Sequence, residues 1–111
     1  MNCNFLSFQV PCSPPSGLEA GSHHGPSRIK ITWKALSDSC WRGVPIGYSI
    51  RLQVNETAHE KNKTWRQEFS VWSNAMKVVL EGLQTYTKYM LQVAAITERG
   101  VGPYSEAVYV G

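Results

Sequence analysis

Apolar and polar residues alternate in short runs along this chain, and clusters of Gly, Pro, Ser and Asn separate the runs. Period-two alternation marks a strand with one buried face. Leu18 and Ala20 alternate into a short first strand. Pro11, Pro14 and Pro15 precede it, and prolines suit an extended lead-in to a sheet edge. Residues 21–26 read as a turn by composition. Over residues 28–34, Ile29, Ile31 and Trp33 share one face while Arg28, Lys30 and Thr32 share the other. This is a second strand, with Trp33 as the central core residue. Residues 35–44 form a loop that contains Cys40 and Trp41. Residues 46–54 are a third strand, with Tyr48, Ile50, Leu52 and Val54 on one face. Residues 55–64 are polar throughout and read as a loop. Residues 65–71 are a fourth strand whose inward face the pattern leaves open, and residues 76–80 a fifth with Val78 and Leu80 inward. Tyr89, Leu91, Val93 and Ala95 define a sixth strand, residues 99–103 a Gly/Pro loop, and residues 104–110 the last strand. Seven short strands without helical periodicity predict an all-β sandwich of two antiparallel sheets.

The segment joining the fifth and sixth strands is Gly82-Leu83-Gln84-Thr85-Tyr86-Thr87-Lys88-Tyr89. A leucine enters it, polar residues fill it, and a tyrosine leaves it at the start of a strand. That is the layout of a tyrosine corner, where the phenol hydrogen-bonds back to the turn backbone. A buried phenol needs a polar partner, so the Tyr89 hydroxyl is expected to bond the backbone of this turn.

The pattern Gly82-Leu83-x-x-x-Thr87-x-Tyr89-x-Leu91-x-Val93-x-Ala95, followed by Gly100-x-Gly102-Pro103-x-Ser105, resembles a fibronectin type III domain. So do Ile29-Lys30-Ile31-Thr32-Trp33 and Gly47-Tyr48-Ser49-Ile50. The blocks occur in the family's order and together cover residues 10–110, nearly the whole chain. One departure is Thr85, where the family usually has proline; it loosens the turn slightly. The resemblance implies a seven-stranded immunoglobulin-like sandwich, three strands packed on four, with Trp33, Tyr48, Leu83 and Tyr89 in structural roles. Residues 10–111 are then the domain. Residues 1–9, with only the short apolar cluster Phe5, Leu6 and Phe8, are an N-terminal extension or linker.

Length and composition narrow the function. A chain of 111 residues has room for one core. With 42% apolar and 17% charged residues it has the composition of a folded domain, not a disordered one. The net charge of +3 is too small to imply a nucleic-acid partner without a clustered patch. No apolar run is long enough to span a membrane, so no direct membrane insertion is expected. The first residues lack the basic and long apolar regions of a secretory signal, and the chain reads as one module of a longer protein.

Catalytic chemistry needs a nucleophile, a base and a group that orients the base. His23, His24 and His59 have no Cys-His, Ser-His-Asp or paired-carboxylate pattern around them. Adjacent histidines on a strand diverge, so His23 and His24 are not a metal pair. No catalytic residue, metal site or cofactor is expected.

Cys3, Cys12 and Cys40 contain no Cys-x-x-Cys pair. In the sandwich topology the loop after the second strand lies at the pole where the first strand begins, so Cys12 and Cys40 could meet. A bridge would close a loop of about 29 residues and stabilise by about 3 kcal/mol in the chain-entropy model. The alternative is two separate thiols, since the family does not require a bridge.

Asn55-Glu56-Thr57 and Asn62-Lys63-Thr64 are N-glycosylation sequons within one polar loop, which makes Asn55 and Asn62 candidate glycan sites. Arg99-Gly100-Val101 is not the integrin-binding tripeptide of some family members. Trp72-Ser73 is half of a cytokine-receptor motif and in the wrong place. Arg28, Lys30 and Lys34, or Lys61, Lys63 and Arg66, would make a basic patch for heparin-like polyanions, but a solvated face is the commoner role for such residues.

The loops at residues 35–44 and 97–103 are expected at one pole, because each follows a strand running towards it. There Trp41, with Arg42 and Arg99 nearby, has two readings. An exposed tryptophan beside arginines is the composition of a partner-binding hot spot. A tryptophan folded inward caps the core.

The expected function is a non-catalytic protein-interaction or spacer module of a cell-surface or extracellular-matrix protein. It would be one of several tandem repeats in adhesion or receptor recognition, contacting a protein partner through its loops or a sheet face, as well as its neighbouring domains. The alternative is an intracellular repeat of a cytoskeletal or muscle-type array.

Overall fold

Two antiparallel sheets face each other across a core of aliphatic and aromatic side chains in the computed structural model, which describes residues 10–25, 27–54, 66–83 and 88–110. The strands are β1 (Glu19–Ser22), β2 (Ile29–Thr32), β3 (Pro45–Val54), β4 (Arg66–Trp72), β5 (Lys77–Leu80), β6 (Tyr89–Thr97), β7 (Gly100–Val101) and β8 (Val108–Val110), with one helical turn, α1 (Asp38–Trp41). The smaller sheet has the order β1-β2-β5. In the larger, β4-β3-β6 is continued by both β7 and β8 along the free edge of β6.

Alternation and register build the core together. In β2, Ile29 and Ile31 point inward opposite Leu80 and Val78 of β5. In β3, Tyr48, Ile50 and Leu52 lie opposite Ala95, Val93 and Leu91 of β6, and all six are buried. The pairing of a large Tyr48 with a small Ala95 leaves room for the ring, as dense packing requires. Register also settles the inward face of β4. Phe69 and Val71 stand opposite Ile50 and Tyr48 and pack on the core, so Trp72 points away from it.

Several boundaries differ from those read in the sequence. Gly21 and Ser22 belong to β1, because they pair with Lys30 and Ile29, and His23 N–H donates to Arg28 C=O at 3.0 Å. The turn is therefore confined to the residues that follow. The loop 35–44 contains α1, where Ser37 is extended ahead of the turn and Arg42 ends it in the left-handed region at φ 60°. The Gly/Pro loop contains β7, since Gly100 and Val101 pair back onto Thr97 and Ile96. The last strand begins at Val108. Upstream of it, Ser105 stands in for a ladder residue: its N–H donates to Val93 C=O at 2.8 Å and its Oγ accepts from Val93 N–H at 3.1 Å. The eight strands thus reduce to seven positions, with β7 and β8 as one interrupted strand. Four strand positions face three.

Leu83 and Tyr89, on either side of the corner, are buried at 9% and 3% exposure. The turn residues 84–87 lie outside the described residues, as do residues 1–9, the sequons at Asn55 and Asn62, His59, and Lys61 and Lys63.

Candidate functional site

The pole formed by α1 and the β6–β7 hairpin gathers the residues that the sequence singles out. Val44 N–H donates to Glu98 Oε1 at 2.7 Å, so the loop after α1 is fastened to the hairpin. Glu98 Oε2 lies 3.5 Å from Arg99 Nε. The Glu98 carboxyl is held below the ordinary glutamate value, first by the Val44 amide and then, with smaller effect, by its own amide and Arg99. Gly43 permits the approach, because a Cβ there would meet Glu98 Oε1 at 2.9 Å.

Trp41 does not serve as an exposed anchor at this pole. It is 6% exposed, with its ring 5.4 Å from that of Tyr48 at 58°. Trp33 also meets Tyr48, edge-on with ring centres 5.4 Å apart. The Tyr48 hydroxyl accepts from Leu36 N–H at 3.2 Å. Trp41 is thus a lid over the core. The physical reason is α1, whose turn carries Cys40 and Trp41 to the inner side while Asp38 and Ser39 stay outside. Cys40 is bonded to Cys12, with Cα atoms 5.1 Å apart, and Cys12 N–H donates to Cys40 C=O at 2.8 Å. The bridge and this bond tie the incoming chain to α1. Arg42 and Arg99 remain exposed, while Trp41 turns inward.

The exposed tryptophan of the described residues is Trp72, 78% accessible on the outer face of the larger sheet. Register places Trp72 opposite Gly47, Gly47 opposite Ile96, and Ile96 opposite Val101. One apolar row therefore crosses four strands, with exposed Ile46 beside it at a bulge between Pro45 and Gly47. Gly47 is required there, since a Cβ would run into the Val71 carbonyl. Beyond the row the face turns polar. Ser49 Oγ and Tyr104 OH are 2.8 Å apart, and the Arg51 guanidinium lies 3.7 Å above the Tyr104 ring centre. Local alternation alone assigns this row no role; its signal is the alternation of Phe69 and Val71 with Ser70 and Trp72, which becomes decisive once the inward pair is known.

Among the described residues, no three His, Cys, Asp or Glu side chains come together as a metal site, and no helix is long and apolar enough to cross a membrane.

The family profile of the fibronectin type III domain matches residues 13–111. The sidekick homolog of Caenorhabditis elegans is 28% identical over 107 residues, covering 94% of this chain and 4% of the relative. The human cell adhesion molecule DSCAM is 32% identical over 104 residues, covering 90% of this chain and 5% of the relative. The chain therefore spans only a small fraction of the length of these curated relatives. Among solved structures, the third fibronectin III domain of the human KIAA0343 protein superposes with a TM-score of 0.81 at 18% identity, covering 91% of this chain and 82% of that one, which is a likeness of fold.

Proposed function

Because the chain belongs to the fibronectin type III domain family, we propose that it is a non-catalytic protein-interaction and spacer module of a cell-surface or extracellular-matrix protein. One observation carries this reading. A single family profile accounts for residues 13–111, and the relatives the chain matches include proteins named as cell adhesion molecules, of which it covers about a twentieth. In this reading residues 10–111 are one of several tandem repeats, and residues 1–9 link it to a neighbour. The Cys12–Cys40 bridge supports an oxidising, extracellular setting. Asn55 and Asn62 are its proposed glycan sites, and the Tyr89 hydroxyl is proposed to bond the corner backbone. The surface that fits protein contact is the row Trp72, Ile46, Ile96 and Val101, which pairs an exposed aromatic with aliphatic neighbours on a rigid sheet.

The test is expression of the chain behind a secretion signal in a eukaryotic cell. Glycan removal should lower its apparent mass, and Asn55→Gln with Asn62→Gln should abolish the shift. Secreted protein with reduced cysteines and no glycan would favour the intracellular array. Trp72→Ser should leave melting unchanged and weaken capture of the cell-surface partner.

A further inference from the structure

The Cys12–Cys40 bridge is unlike at its two ends. Cys12 is exposed in the lead-in to β1, while Cys40 is 6% exposed and packed in the core cluster. Ser13, the next residue after Cys12, holds its Oγ 3.1 Å from Cys40 Sγ. A bridged sulfur carries no proton, so the Ser13 hydroxyl is the donor. Further contacts hold the lead-in independently of the bridge. Cys12 N–H donates to Cys40 C=O at 2.8 Å, and Lys34 N–H donates to Ser16 C=O at 2.8 Å. Pro11 is buried against Gly102, where a Cβ would meet the proline ring at 2.9 Å.

We propose that this bridge is a reversible thiol-exchange site, at which a small external thiol is joined to Cys12 and Cys40 is released as the resolving thiol. The incoming thiolate attacks Cys12 Sγ, the sulfur that solvent reaches. A new S–S bond forms there, and the Cys12–Cys40 bond breaks with its electron pair leaving on Cys40 Sγ. One disulfide is lost and one is gained, so the exchange consumes neither oxidant nor reductant. Attack from the other end would require access to a sulfur packed in the core. The leaving sulfur takes up negative charge where little water reaches it, which is costly without a hydrogen-bond donor. Ser13 supplies the donor. Its bond to a neutral disulfide sulfur is weak and strengthens as the sulfur becomes a thiolate, so it favours the transition state over the ground state. Ser13 is therefore a positioning and charge-stabilising residue for the exchange. The backbone bond between Cys12 and Cys40 and the seat of Pro11 do not involve the sulfurs, so they keep the two residues side by side afterwards. Cys40 can then attack Cys12 Sγ of the adduct, expel the small thiol and close the bridge again. The adduct places the charge and bulk of the small thiol where the chain enters the sandwich.

The test uses the 111-residue chain carrying Cys3→Ser, which leaves Cys12 and Cys40 as its cysteines, and reduced glutathione as the thiol. Samples are quenched in acid, unfolded with N-ethylmaleimide present and mapped by mass spectrometry. Glutathione should sit on Cys12 and maleimide on Cys40, about tenfold or more in excess of the reverse arrangement. Removing glutathione before the quench should restore the bridge. Ser13→Ala should slow the exchange about fivefold or more with melting of the bridged protein unchanged, and Ser13→Thr should recover most of the rate. Glutathione found equally on both cysteines, or chiefly on Cys40, overturns the proposal. So does an equal rate in Ser13→Ala, an adduct that persists once glutathione is removed, or a bridge that exchanges only in denaturant.

Discussion

The rings of Trp41 and Tyr48 meet 5.4 Å apart, and Trp41 directly follows Cys40, whose disulfide joins α1 to the start of the domain. Trp41 is therefore part of the core although it sits in a surface loop. Trp41→Ala should lower unfolding free energy by about 3 kcal/mol or more, the cost of truncating a buried aromatic. Chemical denaturation measures it. A change under about 0.5 kcal/mol, the range for surface substitutions, would mean the ring does not cap the pole.

The Cys12–Cys40 bridge has a second, separable effect. It closes the chain across 28 positions, and replacing both cysteines by serine should cost about 3 kcal/mol in the chain-entropy model. Cys12 is exposed while Cys40 is buried, so a mild reductant reaches the bond through Cys12. Melting with and without reductant should reproduce the loss in the wild type and show none in the double variant.

Two aromatic neighbours differ in what conservative change removes: a satisfied polar atom in one and an unsatisfied one in the other. The Tyr48 hydroxyl accepts a buried bond from Leu36 N–H, so Tyr48→Phe leaves that amide unpaired and should cost about 1–2 kcal/mol. The buried Trp33 Nε1 has no acceptor among the described residues. Trp33→Phe removes an unsatisfied donor, which offsets part of the lost volume. Its cost should fall well below the roughly 3–5 kcal/mol of Trp33→Ala. Denaturation curves of the three variants measure it, and Trp33→Phe costing as much as Trp33→Ala would contradict the unsatisfied donor.

Glu98 makes the pole sensitive to acid. Its folded pKa is depressed, chiefly by the Val44 amide, so its contribution is complete above the ordinary glutamate value. It is lost as pH falls from there through the lower, folded value. The melting difference between wild type and Glu98→Gln should be flat near neutrality and shrink from about pH 4.5 downward. A difference that grew on acidification would contradict the Val44 contact as its cause.

Much of this architecture was legible in the residues, and the exceptions share a cause. β2, β3 and β6 declare themselves because one face is buried, and Ile31, Tyr48 and Leu91 could not be exposed without cost. α1 is a single turn with no periodicity to detect, and the bond that ties it down comes from Cys12, 28 positions earlier. β7 exists only because Gly100 and Val101 fold back on Thr97 and Ile96. The exposure of Trp72 follows from Phe69 facing Ile50, a pairing between strands that no local pattern states. Arg28, Lys30 and Lys34 alternate through β2 and its flanks, but Lys77 joins their face by register alone, opposite Thr32.

Ser105 interrupts the outermost strand of the larger sheet, using its hydroxyl where a backbone carbonyl would otherwise meet the Val93 amide. Pro103, two residues earlier, has no amide proton to offer. A foreign strand arriving at this margin would therefore find no regular succession of donors and acceptors to zip onto. In a tandem array of the proposed kind, modules would be at high local concentration, and a broken margin would keep each copy from annealing to its neighbours while leaving side-chain surfaces open for chosen encounters.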